Sequence, residues 1–317
     1  MSRAERRARR EERQRQRELL GGVTPPAVVY PPSTDQLQVF DRHENDTHHA
    51  LRDLWRPAAS FLVGGGPSLN EVDTSLLASR GIASLGINNV AAHVPVKAFC
   101  CSDPPEKFHH AIWFDPGVMK FVPRPKLKKR VRAKIGEQQF RFTQYRVADC
   151  PNVWGFHRTA EFVPEEFLTS TGATWGNNSQ AVEKNGRPKI LFTFFCALRL
   201  MHYLGCRRVY LLGVDFHMHA GRNGGYAFKQ NRWASSVGGN NDHYRIASRM
   251  LAELQPYFAA ANFQVFNCYE YSGLKVFPYV PFDEAIEDCR GMVPKEIDLA
   301  GWYEKPGEQY QEDRGDE

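Results

Sequence analysis

The chain has 317 residues, 42% of them hydrophobic and 12% aromatic, and a formal net charge of +5. That composition excludes a disordered polymer and leaves room for one large domain, or two small ones, with a sizeable core. No apolar run approaches the roughly 18–20 residues of a membrane span, and residues 1–20 lack the apolar segment of a secretory signal, so neither is expected.

In chain order, residues 1–22 carry eight arginines and four glutamates with no apolar stripe, which predicts a projecting basic helical arm. Residues 23–57 are proline-marked and then polar, an irregular lead-in. A core domain is expected over 58–286. ASFLV (59–63) reads as a buried strand, SLNEVDTSLLASR (68–80) as a helix, and IASLGI (82–87) and KAFCC (97–101) as further short strands. The stretch 105–188 is rich in proline, aromatic and basic residues and is expected to form an insert or lid. Order returns with KILFTFFCALRLMHYLG (189–205), a buried helix, and VYLLGV (209–214), the clearest buried strand. NDHYRIASRMLAELQPYFAAAN (241–262) is an amphipathic helix feeding the strand FQVFNC (263–268), and 287–317 is an acidic polar tail. Strands alternating with helices predict an α/β fold: a Rossmann-like, mostly parallel sheet with helices on both faces, plus the lid.

Chemistry-bearing residues gather where these strands end. FLVGGGPSLN (61–70) places Gly64, Gly65 and Gly66 after the first strand and Ser68 at the next element's start. Glycines there permit either a tight turn for its own sake or the approach of a phosphate to bare amides beside a helix N-terminus. It is neither GxGxxG nor a Walker sequence. Asn88 or Asn89 of GINN follows the second strand and suits a ribose, a base, a sugar or simply a turn. Asp103 of CSDPPE follows the third. LLGVDFHMHAGRNGGYAF (211–228) adds Asp215, His217, His219 and Tyr226. A metal site on Asp215, His217 and His219 has no further histidine or cysteine at a conventional spacing, and none is expected. In GGNNDHYR (238–245), Asn241 or Asp242 suits a helix cap, and His243 suits an acid or base. Converging polar loops on one edge of a parallel sheet suggest a nucleotide site.

The order of these motifs resembles a known family. GGGPSL after the first strand, an asparagine after the second, an acid or asparagine before proline after the third, then LLGVDF, YAF and DHY are similar to the bacterial lipooligosaccharide sialyltransferases. They are similar also to motility-accessory proteins that decorate flagellin and to pterin-diphosphokinase-like domains. FNCYEYSGLKVFPYVPFDEAI (266–286) resembles a closing segment of phage-borne members. The resemblance covers about 59–105 and 189–286.

What it implies is a sialyltransferase-like glycosyltransferase variant of the Rossmann-like fold, moving a sugar from a CMP-sugar-like donor to an acceptor hydroxyl without a metal cofactor. Gly65 and Asn88 would contact nucleotide or sugar, with Asp103 nearby in place of the family's asparagine. Thr193 falls near a serine that grips CMP, and Tyr226 matches a tyrosine near the leaving phosphate. With Gly64, Gly66, Ser68 and Asp215 these make the expected donor set. The family's catalytic histidine lies four residues beyond the HY histidine, where this chain has Ala247. The base would then be His243, His217 or His219, with His243 preferred.

The basic arm at 1–20 and the block 120–134, with eight Lys or Arg and no acid, suit an anionic acceptor such as nucleic acid or a glycolipid. Two other classes fit the same motifs: a magnesium-dependent diphosphotransferase using Asp103 and Asp215, and a non-catalytic scaffold. Seven scattered cysteines without CxxC pairs predict reduced thiols and a cytoplasmic location, that of the host cell for a phage-encoded chain.

Overall fold

A computed structural model describes residues 35–47, 51–55, 58–134, 140–159, 161–175, 192–218, 225–228 and 235–291. The expected arm at 1–22 and His219 lie outside the described residues. All the described residues belong to the unit Ser33–Glu317.

The architecture is α/β. Strands β1 (Val39–Phe40), β2 (Ala58–Val63), β3 (Ala83–Ile87), β4 (Ala98–Cys100), β5 (Met119–Pro123), β8 (Val153–Phe156), β11 (Cys206–Leu212) and β12 (Gln264–Asn267) form one sheet. Its order is β1-β8-β5-β4-β3-β2-β11-β12. Every neighbouring pair is parallel except β1, which closes one edge antiparallel to β8. An antiparallel ribbon, β6 (Arg130–Lys134) and β7 (Phe140–Arg146), stands apart from it, as does the short pair β9 (Arg158–Thr159) and β10 (Ala173–Thr174).

Both faces of the sheet are covered, which is why its strands read as apolar runs rather than alternating ones. Leu62, Val209 and Leu211 face helices α2 (Thr193–Tyr203), α3 (Ser235–Glu253) and α4 (Gln255–Ala260). Phe61, Val63, Tyr210 and Leu212 face the opposite layer, which includes α5 (Phe282–Gly291). The short α1 (His110–Phe114) covers Phe99 and Val122 further along that side. Every residue of α2 is buried. Arg199 and His202 of that helix survive there because Asp35 accepts hydrogen bonds from both, at 2.5–2.8 Å. All seven cysteines are buried and unpaired. Among the described residues no helix is long and apolar enough to cross a membrane.

Four expectations change. The helix expected over 68–80 is two 3-10 turns, Pro67–Glu71 and Thr74–Ala78, the second capped by Asp73, whose carboxylate accepts from the Ser75 amide at 3.0 Å. The stretch 105–188 is more than a lid, since β5 and β8 belong to the main sheet. Part of the irregular lead-in supplies edge strand β1. Residues 287–291, expected to open the polar tail, belong instead to α5, and the rest of that expected tail lies outside the described residues.

Lys120 explains why β5 was hard to read. It is fully buried in mid-strand, and its ammonium donates to the carbonyls of Asp115, Val118 and Pro151, the last two at 2.9 and 2.8 Å. Burial pulls its pKa down to about 8. It is therefore not part of the basic surface assigned to 120–134.

Candidate functional site

The connection from β2 to β3 crosses one face of the sheet, and the connection from β11 to β12 crosses the other. β2 and β11 are neighbours, so their carboxyl ends flank a topological switch point, where open parallel sheets leave a crevice. The expected residues line that crevice together: Gly64, Gly65 and Gly66 after β2, Asn88 after β3, Asp103 after β4, and Asp215 and His217 after β11. Thr193, Tyr226 and His243 come to the same hollow from α2, the following loop and α3. Ser68 lies directly behind it.

The glycines are explained by the chain's own backbone. A Cβ on Gly64 would stand 2.6 Å from the Gly213 carbonyl oxygen, and one on Gly66 would stand 2.5 Å from the Asp215 carboxylate. The two strand-end loops cross at a spacing that only glycine allows. The Gly66 amide donates to Gly213 O at 2.7 Å, and the Gly64 amide to Leu212 O at 2.8 Å. Asp215 accepts from both the amide, at 3.0 Å, and the hydroxyl of Ser68. Burial raises the Asp215 pKa, while the two Ser68 bonds pull the other way. The start of the turn after the glycines, where an incoming phosphate was expected, is thus occupied by an internal carboxylate. Ser68 and Asp215 act as a clasp between two loops.

A different N-terminus faces the hollow. Helix α2 begins at Thr193 with no side-chain cap, and Phe192, Thr193 and Phe194 all line the crevice. The first amides of an eleven-residue helix carry partial positive charge and lack intrahelical partners. Thr193 is only 9% exposed, and its hydroxyl has no hydrogen-bond partner among the described residues. Asn88 is similar. Its backbone is left-handed, at φ +58°, and its Oδ1 is shut from water without a partner. Burying an unpaired polar atom costs about 1–3 kcal/mol, so Asn88 Oδ1 marks a place where a ligand atom would complete the bonding.

An aromatic wall completes the hollow. Tyr244 stacks on Phe216 with centroids 4.9 Å apart, and on Phe192 at 6.0 Å. Phe216 holds φ +49°, a strained value for a bulky residue, and its neighbours fix it there. Gly273 donates to Asp215 O at 2.7 Å, and Ser272 to Val214 O at 2.9 Å. Tyr226 and Phe228 sit over Gly65, whose Cβ would meet both rings at 3.2–3.3 Å. His243 is half-buried, edge-on to Phe192, and His217 is exposed.

Asn241 and Asp242 are not helix caps, because α3 already starts at Ser235. Asn241 instead clamps the loop after β11, accepting from the Met218 amide at 2.8 Å and donating to its carbonyl at 3.0 Å. Ala247, where the resembled family carries its histidine, is fully buried in the core one turn below His243. Asp103 pairs with Lys107 at 2.9 Å. Among the described residues no three His, Cys, Asp or Glu side chains gather as a metal would require. Reading residues alone missed Phe192, Phe216 and Tyr244, since aromatic residues on or beside helices read as core; the DHY motif was the available signal for Tyr244.

No protein-family model, curated protein or solved structure matches the chain.

Proposed function

We propose that the chain is a glycosyltransferase that takes a sugar from a nucleotide-activated donor and passes it to an acceptor hydroxyl. The observation that carries this reading is a switch-point crevice combining an uncapped helix N-terminus, a buried unpartnered Asn88 Oδ1 and an aromatic wall. The amides at Thr193 and Phe194 and the Thr193 hydroxyl seat the donor phosphate. The Phe216–Tyr244 stack offers a surface for a planar base, and Asn88 accepts from a base or sugar donor group.

In the transfer, the acceptor oxygen bonds to the anomeric carbon while the bond from that carbon to the phosphate oxygen breaks. The acceptor proton passes to His243, and the negative charge leaves on the phosphate, held by the α2 terminus and by Tyr226. His217 is the second candidate for the proton.

The test is thermal shift against CMP-, UDP-, GDP- and ADP-sugars, followed by hydrolysis or transfer with whichever donor stabilises the chain. One donor class should raise Tm, and turnover should survive a chelator. His243→Ala should keep the shift and lose turnover. If no nucleotide sugar stabilises the protein, the reading fails.

A further inference from the structure

Between Lys120 and Ala148 the sequence has ten Lys or Arg and a single acid, Glu137. Lys120 is buried, and Arg124 and Lys128 share Glu44, each at 2.9 Å. Lys129, Arg130 and Arg141 are exposed and have no carboxylate partner among the described residues. These cations belong to the β6–β7 ribbon and its approach.

The ribbon is anchored on one side only. Val131, Leu127 and Val147 are buried against Ile112 and Trp113. Phe142 and Tyr145 of the ribbon are 57% and 44% exposed, and Phe114 of α1, 38% exposed, meets Tyr145. Three of the six exposed large hydrophobic side chains among the described residues are therefore on the ribbon or against it. The pairing explains their placement: Arg130 faces Arg146 and Arg132 faces Phe142, so β7 bulges across Thr143–Tyr145. A bulge re-aims side chains that strict alternation would turn inward. The Arg132 guanidinium lies 5.5 Å over the Phe142 ring, and Phe114 meets Tyr145 edge-on at 5.7 Å.

We propose that this ribbon is a docking face for single-stranded nucleic acid. The chemistry is complementary on both counts. Lys129 and Arg130 meet phosphates, and Phe142 and Tyr145 offer ring faces on which unpaired bases stack. A lipid surface would call for a contiguous apolar wedge, whereas here each exposed ring is aromatic and set among cations. The location adds a purpose. β6 packs against the 3-10 turn Pro105–Lys107, which follows directly from Asp103 of the crevice. β5 ends on the same rim, so a strand bound along the ribbon runs beside the crevice.

The experiment is fluorescence anisotropy of the full chain with labelled oligothymidylate, a duplex of equal length, and phosphatidylserine vesicles as competitor, across a salt series. Binding needs no sugar donor, so it reads the ribbon and not the chemistry of the crevice. Oligothymidylate should bind more tightly than duplex. Phe142→Ala should weaken it by at least five-fold and Phe142→Trp should restore it. Replacing Lys129 and Arg130 by Gln should lower the slope of log K against log salt by about 1.4, two single-strand phosphates' worth. Unchanged oligonucleotide binding in Phe142→Ala, equal affinity for duplex, or displacement by vesicles at equal charge would each overturn the proposal.

Discussion

Two polar clusters touch helix α2, one at each end, and they differ in one respect. Near its C-terminal half, Asp35 accepts from Arg199 through two nitrogens, from His202 and from the Leu37 amide; Arg199 also donates to Ser170 O at 2.8 Å, and only its Nε lacks a partner. At its N-terminus, Thr193 and the first amides line a hollow without a side-chain cap, beside an Asn88 Oδ1 that is buried without a partner. The first cluster satisfies all of its groups but the Arg199 Nε and holds the fold. The second is open, and open valence inside a cavity is what a ligand supplies. Burial alone does not separate structural from functional polar residues; lack of a partner beside a ligand-sized hollow is the better guide.

The largest effect tests the closed cluster. Asp35→Leu strands a fully buried guanidinium and should cost about 3–5 kcal/mol in urea unfolding. The double replacement Asp35→Leu with Arg199→Met should recover most of that loss, since it removes both charges. A double variant as unstable as the single one would mean that shape, not charge pairing, is what Asp35 contributes.

Acid pH probes the same cluster more gently. Burial, with help from the neighbouring Arg199 and Arg207, lowers the His202 pKa below its ordinary 6.5, although Asp35 opposes this. The unfolded chain therefore binds a proton at His202 before the folded chain does, and stability falls as pH drops through 6.5. Asp35 adds to this lower down. Burial pushes its carboxyl up, but Arg199 and His202 together outweigh that and hold it below its ordinary 3.8, so stability is lost again beneath that value. Urea midpoints measured from pH 8 to pH 4 should slope downward below about 6.5. His202→Gln, which can still donate to Asp35, should flatten the upper part of that slope; an unaltered profile would assign it to other groups.

How legible each region was depends on how far along the chain its partners lie. β2, β3, β4, β11 and β12 were readable because strands covered on both faces are short apolar runs ending at glycine, asparagine or aspartate. β5 and β8 were not, since a strand with Lys120 at its second position looks unfit for a core until three carbonyls arrive to receive it. The polar residues of the crevice were legible from their positions after strands. Their division of labour was not: Asp215 and Ser68, 147 residues apart, turn out to bond each other, and a compositional reading has no access to that pairing. The amphipathic spacing of 68–80 misled for a related reason. Leu69 and Leu77 pack into the same layer from two separate 3-10 turns, which mimics one helical face.

The smallest expected change in stability tests the open cluster. Thr193→Val keeps shape and β-branching while removing a hydroxyl that has no partner, so urea stability should shift by no more than about 0.5 kcal/mol. Against the Asp35 variants this is the contrast in its sharpest form: one polar group that secures the far half of α2 and is indispensable to folding, and one at the start of α2 that folding does not need. The same Thr193→Val variant should lose roughly ten-fold in affinity for whichever nucleotide sugar stabilises the wild type, as expected for one hydrogen bond to a charged phosphate. Thr193→Ser, which keeps the hydroxyl, should bind nearly as well. A loss above about 1 kcal/mol in Thr193→Val would reveal a structural partner for the hydroxyl. Unchanged stability with unchanged donor binding would move the phosphate away from the α2 terminus and leave the orphaned groups of the crevice without their ligand.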